Sequence, residues 1–318
     1  MQYRNILHFW KGTTIMKKAF SLIEVIFVLI ILGIVASISS QIIVQVYESY
    51  ITQQAIYKVS IKTELAINQM VSRLSYSIVD SAIAKDATNS LNYKLLTDLD
   101  LTTDKDLTIL EWIGYDNDSF SAGSTPYWSG VANYEDANES MFDTPGSQLG
   151  KVDTIIKNLS KSISLDESNT SAQRPAVIFQ PRTGAGDAIN GECMGLVNND
   201  TSCIYAVSEK NATGFLFEDE NKSKIKIITE RYQLAWSAYA LVPTIKPNGL
   251  YNINLHYNYQ PWEGETYDKN ATSSLLISNV SVFKFTQSGG IIQLKLCASE
   301  NIGTNYNIST CKEKAIIQ

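Results

Sequence analysis

The residues with the clearest chemical consequence in this 318-residue chain stand near its beginning. Glu24 lies inside residues 20–36, FSLIEVIFVLIILGIVA, which are apolar apart from Ser21, Glu24 and Gly33. An acidic side chain carried to the centre of a bilayer costs on the order of 2.5–3.5 kcal/mol, and less near the headgroups. Such a carboxylate either keeps contact with water or pairs with a cation. Four cysteines form a second set: Cys193, Cys203, Cys297 and Cys311. No C-x-x-C occurs among them and their spacings do not resemble a zinc ribbon, so disulfides are expected and no metal site is predicted. Three pairings are possible, and proximity favours Cys193 with Cys203 and Cys297 with Cys311. A third set comprises Asn138, Asn169, Asn211, Asn221 and Asn270, each opening an Asn-X-Ser/Thr triplet and each preceded two residues earlier by an acid. That is the extended acceptor pattern of bacterial N-glycosylation. Frequencies of about 0.07 for Asn, 0.10 for Asp plus Glu and 0.18 for Ser plus Thr predict roughly 0.4 such sites by chance. These five are glycosylation candidates.

Other groupings carry less. There are two histidines, His8 and His256, a count that disfavours a Ser-His-Asp hydrolase or a histidine-rich zinc centre. Asp116, Asn117 and Asp118 lack the remaining ligands of a calcium loop. Gly184, Ala185 and Gly186 lack the third glycine of a dinucleotide-binding turn. No catalytic residue, no cofactor and no small-molecule substrate is predicted.

The elements that must position these residues are legible in outline. A bilayer's hydrocarbon core needs roughly 20 apolar residues as helix, so residues 20–42 are long enough to span it. Lys17 and Lys18 precede the run and no Lys or Arg follows until Lys58, a bias that keeps the N-terminus cytoplasmic and sends the rest across. No Gly occurs between Gly33 and Gly114, and no Pro before Pro126. Ile67, Met70, Val71, Leu74 and Ile78 fall on one helical face. A helix from Phe20 to about Ala84 would be ~95 Å long. Its membrane half covers residues 20–42 and its amphipathic half residues 43–85. Residues 86–224 are polar and turn-rich with apolar patches at 107–113 and 176–179, an elaborated or inserted part of the head. Residues 225–318 read as antiparallel sheet. Tyr251, Ile253, Leu255, Tyr257 and Tyr259 alternate with Asn252, Asn254, His256 and Asn258, the period of a half-buried strand. Residues 225–242 pair with that strand across a Lys246, Pro247, Asn248, Gly249 turn, and residues 275–285 and 291–297 flank Gly289 and Gly290 as a second hairpin. Long helix first and sheet afterwards is an α+β arrangement.

Met16, Lys17, Lys18 and Ala19, followed by Phe20, Ser21, Leu22, Ile23 and Glu24, resemble the class III leader of type IV pilins and type II secretion pseudopilins. The resemblance is specific over about residues 16–45. It implies cleavage between Ala19 and Phe20 by a prepilin peptidase, and N-methylation of Phe20. It also makes Glu24 the fifth mature residue, whose carboxylate pairs with the Phe20 amine of a neighbouring subunit. The family more often has Gly where Ala19 stands. A pilin-like fold follows from the resemblance: a long N-terminal helix packed on an antiparallel sheet head, here with a large insertion. Residues 1–19 are then leader, with Met16 an alternative start. The rival reading is a secretory signal peptide cut near Val35, Ala36 and Ser37, which leaves Glu24 without a role.

The resemblance implies a large minor pilin or pseudopilin. Such a subunit is single-pass in a bacterial inner membrane, with its head periplasmic or extracellular, and assembles with other pilin-like subunits into a type IV pilus or secretion pseudopilus. A pilus-associated adhesin or DNA-uptake subunit is the alternative, and an exported membrane-anchored enzyme the third reading. Net charge is −6 and sequence pI about 5.1. Loss of Arg4, Lys11, Lys17 and Lys18 with the leader makes it −10. Nonspecific nucleic-acid binding needs a basic face, so no nucleic acid is expected as a partner.

Overall fold

The computed structural model describes residues 21–89, 91–160, 162–180, 189–218, 227–302 and 306–317. It divides into two compact units, Met1–Gln54 and Ala55–Gln318, each taken by itself below. The first helix, α1, runs Leu22–Leu74. In the first unit it is almost wholly apolar as far as Ala36 and increasingly polar after it, and its side chains from Leu22 to Tyr50 are all exposed.

In the second unit the last turns of α1 bury Val59, Thr63, Ala66, Ile67, Met70 and Leu74. The expected stripe of Ile67, Met70 and Leu74 is therefore the core-facing one. The helix stops at Leu74, about ten residues before the expected end near residue 85. Serines explain the early stop. Ser75 Oγ donates to Ser72 O, Ser77 Oγ to Leu74 O and Ser81 Oγ to Ile78 O, so hydroxyls satisfy carbonyls that another helical turn would have used. Asp80 then takes a left-handed backbone, φ 58°. Ile78 is buried beyond the helix end, in the turn region.

The chain then lays down β1 (Ile83–Asp86), β2 (Tyr93–Leu95) and β3 (Leu107–Tyr115), followed by a one-turn helix α2 (Asn117–Phe120), β4 (Met141–Asp143), α3 (Leu149–Leu159) and β5 (Ala176–Phe179). After these come β6 (Tyr205–Asn211), β7 (Gly214–Phe217), β8 (Tyr232–Ile245), β9 (Tyr251–Tyr259), β10 (Thr272–Ser288), β11 (Ile291–Ile302) and β12 (Tyr306–Ile317). All twelve form one sheet in the order β12-β11-β10-β9-β8-β5-β6-β7-β4, with β3 also on β8, β1 on β3 and β2 on β1. Every pairing between these strands is antiparallel. The 14 residues of β8 make it the hub, pairing with β5 over Tyr232–Ala235, with β3 over Ala235–Leu241 and with β9 over Ala238–Ile245. Within residues 86–224, β2 pairs with β1, β3 pairs with β1 and β8, and β5 pairs with β6 and β8. The two expected hairpins are β8–β9 and β10–β11, the latter closed by Gly289 and Gly290 with φ of 58° and 75°.

Three buried clusters follow from strand alternation. On one face, the α1 residues pack against Trp112, Leu241, Ile253, Phe285 and Leu294. On the opposite face Ile83, Ile113, Ala176 and Tyr259 meet Met194 and Trp262. Around α3 (Leu149, Val152, Ile156), Phe142, Phe179 and Phe215 form an aromatic nest. Tyr259 departs from the expected face. Tyr251, Ile253, Leu255 and Tyr257 lie on the α1 side, whereas Tyr259 is fully buried on the other. Asn258 has φ 59° and the β8–β9 register slips between Ala238 and Ala240, an irregularity that reverses the side-chain alternation after it.

Candidate assembly segment

The start of α1 is built by Ser21. Glu24 N donates to Ser21 O at 3.0 Å and to Ser21 Oγ at 3.3 Å, and Val25 N donates to Ser21 O. Ser21 and Glu24 have the S-x-x-E spacing of a capping box, with the hydroxyl satisfying an amide that has no partner within the helix. In the sequence Ser21 stands as an interruption in the apolar run, and the structure gives it the role of the helix cap. Glu24 lies in the first turn, exposed, where the positive end of the helix dipole favours a carboxylate. Ala19 and Phe20, the expected cleavage and methylation residues, lie outside the described residues.

From Val25 to Ala36 the segment exposes an apolar surface, with Phe27 60% exposed, and polar side chains return from Ser37 onward. A helix apolar on all sides is stable only in lipid or among other apolar helices. The helix is long and apolar enough to cross a membrane, which is consistent with a single-pass anchor.

Within the second unit, charged groups on α1 reach the sheet. Glu64 lies between Lys314 Nζ at 3.0 Å and Lys312 Nζ at 3.2 Å, both on β12. Hydrogen bonds from Lys314 and Lys312 hold its carboxyl below the usual carboxylate range. Lys58 pairs with Glu300 on β11 at 3.3 Å, and Lys62 Nζ donates to Ser278 Oγ on β10 at 3.0 Å. Burial lowers the Lys62 ammonium, against the pull of Glu300. These contacts set the rotation of α1's last turns on β10, β11 and β12.

One buried cluster was not anticipated. Lys85 on β1 and Glu111 on β3 form an ion pair at 2.5 Å, both almost wholly buried, because the β1–β3 register sets Ile83 opposite Glu111. Lys85 Nζ also donates to Leu196 O at 2.5 Å, and Tyr259 OH donates to Glu111 Oε1 at 2.7 Å. Burial, with Glu111 beside it, holds the Tyr259 hydroxyl well above its usual range. No periodicity announces a pair whose members are brought together only by strand pairing.

The other candidates fall as follows. Cys193 bridges Cys203, and Cys297 bridges Cys311, its directly opposed residue on β12. Asn138, Asn169, Asn211 and Asn270 are exposed, while Asn221 lies outside the described residues. His256 Nδ1 faces the Tyr267 carbonyl at 2.8 Å rather than a carboxylate, and Nε2 lies 3.3 Å from Ser273 Oγ. That is a cross-strand contact between β9 and β10, not the acid-base-nucleophile chain of a hydrolase. Trp112, Trp128, Trp236 and Trp262 are all buried, so none offers a stacking platform to an external ligand. Among the described residues, no three His, Cys, Asp or Glu side chains group as a metal site.

No curated protein and no solved structure matches the chain. Among known families, residues 16–40 match the prokaryotic N-terminal methylation motif. The match supports the type IV pilin and pseudopilin resemblance of the leader, and the fold behind it, a long N-terminal helix followed by a large antiparallel sheet, is of the α+β kind that resemblance implies. The chain therefore carries, at residues 16–40, the class III prepilin leader that marks type IV pilin and pseudopilin-type proteins.

Proposed function

We propose that the chain is a minor pilin or pseudopilin, a structural subunit whose work is assembly. Prepilin peptidase cuts between Ala19 and Phe20 on the cytoplasmic side, and the new amine on Phe20 is methylated. The apolar part of α1 holds the subunit in the inner membrane with its head exported, until it joins other pilin-like subunits in a filament. There the Glu24 carboxylate of one subunit meets the Phe20 amine of the next. Each buried charge is neutralised only in the correct register, so the pair specifies how subunits stack. The observation that carries this reading is the methylation motif running directly into an apolar helix exposed on every side.

Two measurements test it. N-terminal mass spectrometry of the protein from its own membranes is expected to find methylated Phe20, and an end near Ser37 would overturn the reading. Glu24→Val is expected to leave membrane insertion intact and to weaken co-purification with other pilin-like subunits. Unchanged co-purification would remove the assembly role from Glu24.

A further inference from the structure

The chain contains ten Asn-X-Ser/Thr triplets. Half have an acid two residues before the asparagine, where the overall acid content predicts about one. The structure separates the two halves. Of the triplets without the acid, Asn117 opens α2, Asn158 lies in α3, Asn279 inside β10 and Asn307 inside β12, and Asn199 alone sits in a turn. Those with the acid avoid helix and strand interiors. Asn138 lies in the loop before β4, Asn169 in the loop after α3, Asn270 in the turn before β10, and Asn211 is the last residue of β6 at its hairpin with β7. All four asparagines are exposed. Asp136, Glu167 and Asp268 are exposed too, and Glu209 is half-buried. The fifth acid-bearing triplet, at Asn221, lies outside the described residues.

Local bonding also suits an acceptor. The amide oxygen of Asn138 accepts from Ser140 N, that of Asn169 from Ser171 Oγ, and that of Asn211 from Thr213 N. In these three the hydroxyl residue of the triplet engages the amide oxygen, which leaves the amide nitrogen as the reacting atom, whereas the amide oxygen of Asn270 accepts from Thr266 N. Three of the four sites also avoid the part of the sheet that α1 covers. Asn138, Asn169 and Asn211 lie at the β4–β7 end of the sheet or beside α3, whereas α1 packs on the β8–β12 end. Sugar there would not obstruct packing of the helix on the sheet.

We infer that Asn138, Asn169, Asn211 and Asn270 are N-glycosylation sites, modified on the exported side by an oligosaccharyltransferase that takes a polyprenyl-diphosphate-linked oligosaccharide as donor. The asparagine amide nitrogen attacks C1 of the first sugar. The C1–O bond breaks as the N–C1 bond forms, polyprenyl diphosphate leaves with the bonding electron pair, and the amide proton passes to a base on the enzyme. The carboxylate two residues earlier supplies a charge handle for a cationic binding groove. The inference rests on the head being exported, as the proposed function requires.

The test is intact-mass and glycopeptide mass spectrometry of the mature chain purified from the cells that make it. The expected result is a mature end at Phe20 and a mass above the bare polypeptide by whole glycan increments, with glycopeptides at the four asparagines. Asn169→Gln and Glu167→Gln, both exposed substitutions, are each expected to lose the Asn169 glycopeptide and one increment. A bare mass with the Phe20 end in place overturns the inference while leaving the assembly reading standing. Glycan on Asn158, Asn199 and Asn307 as often as on the four, or an Asn169 glycopeptide that survives Glu167→Gln, overturns it as well. An unprocessed N-terminus, by contrast, counts against the proposed function itself.

Discussion

Replacing Lys85 with Met tests whether the buried ion pair behind the first strands is an integral part of the head. The lysine fills a site on β1 that is 7% exposed, and its ammonium is shared between Glu111 Oε2 and the Leu196 carbonyl, each at 2.5 Å. Methionine is close in volume, so the loss is electrostatic rather than a cavity. Glu111, 2% exposed, is left with the Tyr259 hydroxyl as its remaining partner in the cluster. Removing one member of such a pair costs about 3–5 kcal/mol, because the surviving charge is desolvated without compensation. That is a large part of the ~5–15 kcal/mol that holds a typical domain folded. Lys85→Met with Glu111→Leu removes both charges and leaves only neutral groups, the Tyr259 hydroxyl and the Leu196 carbonyl, short of a partner at about 1–3 kcal/mol each. Relief of the ion-pair desolvation offsets part of that, so the double variant is expected to be more stable than Lys85→Met alone. Urea unfolding of the full chain in detergent, followed by tryptophan fluorescence, reads both, since Trp112 is buried beside Glu111 in β3. A Lys85→Met midpoint within about 1 kcal/mol of the parent, or a double variant less stable than the single, refutes the reasoning.

Two further predictions use the same assay. Ile67→Ala removes a fully buried side chain between α1 and the sheet and is expected to cost about 2–5 kcal/mol, whereas Leu65→Ala, on the exposed side of the same turns, is expected to stay within about 0.5 kcal/mol. Asp116 caps α2 through Ser119 N, and burial pushes its carboxyl up to about 6 from 3.8. A raised acid stabilises the fold below its unfolded value and loses that contribution as pH rises through about 6, on the order of 3 kcal/mol for a shift of this size. Asp116→Asn keeps a capping oxygen and cannot titrate, so its stability relative to the parent should grow between pH 4 and pH 7; a constant difference across that range excludes the mechanism.

What could be read from the sequence was whatever rests on local periodicity. The apolar run, the Ile67, Met70 and Leu74 stripe and the two glycine- or proline-marked hairpins each announce themselves within about 20 residues. Features set by partners distant in the chain did not. β12 falls in the stretch read as sheet, but Lys312, Glu313 and Lys314 leave no apolar alternation to set its limits or register, which twelve residues of pairing with β11 and the Cys297–Cys311 bridge fix. The helix end depended on serines choosing carbonyls in place of water, and the placement of Tyr259 on a single left-handed asparagine. At the assembly segment the position of Glu24 was evident and its local partner was not, although Ser21 stood three residues before it.

That local partner bears on how Glu24 acts. Ser21 satisfies the Glu24 amide through its own carbonyl and hydroxyl, so the cap needs nothing from the Glu24 side chain, which lies exposed at the helix start. The dipole of the helix favours a first-turn carboxylate by about 0.3–1 kcal/mol. Drawing that carboxylate to the centre of a bilayer or an apolar filament costs about 2.5–3.5 kcal/mol. The helix start therefore recovers only part of the cost, and about 2 kcal/mol stays uncompensated within a single chain. An unpaired charge held that far from its optimum favours a subunit near the interface until a cation is supplied. In the proposed assembly, that cation is the amine that cleavage before Phe20 would create on a neighbouring subunit. On this account Ser21→Ala weakens the first turn by about 1 kcal/mol without altering which subunits associate, whereas Glu24→Gln keeps the turn and removes the partner choice. The two variants thus separate the starting of the helix from the stacking of the subunits.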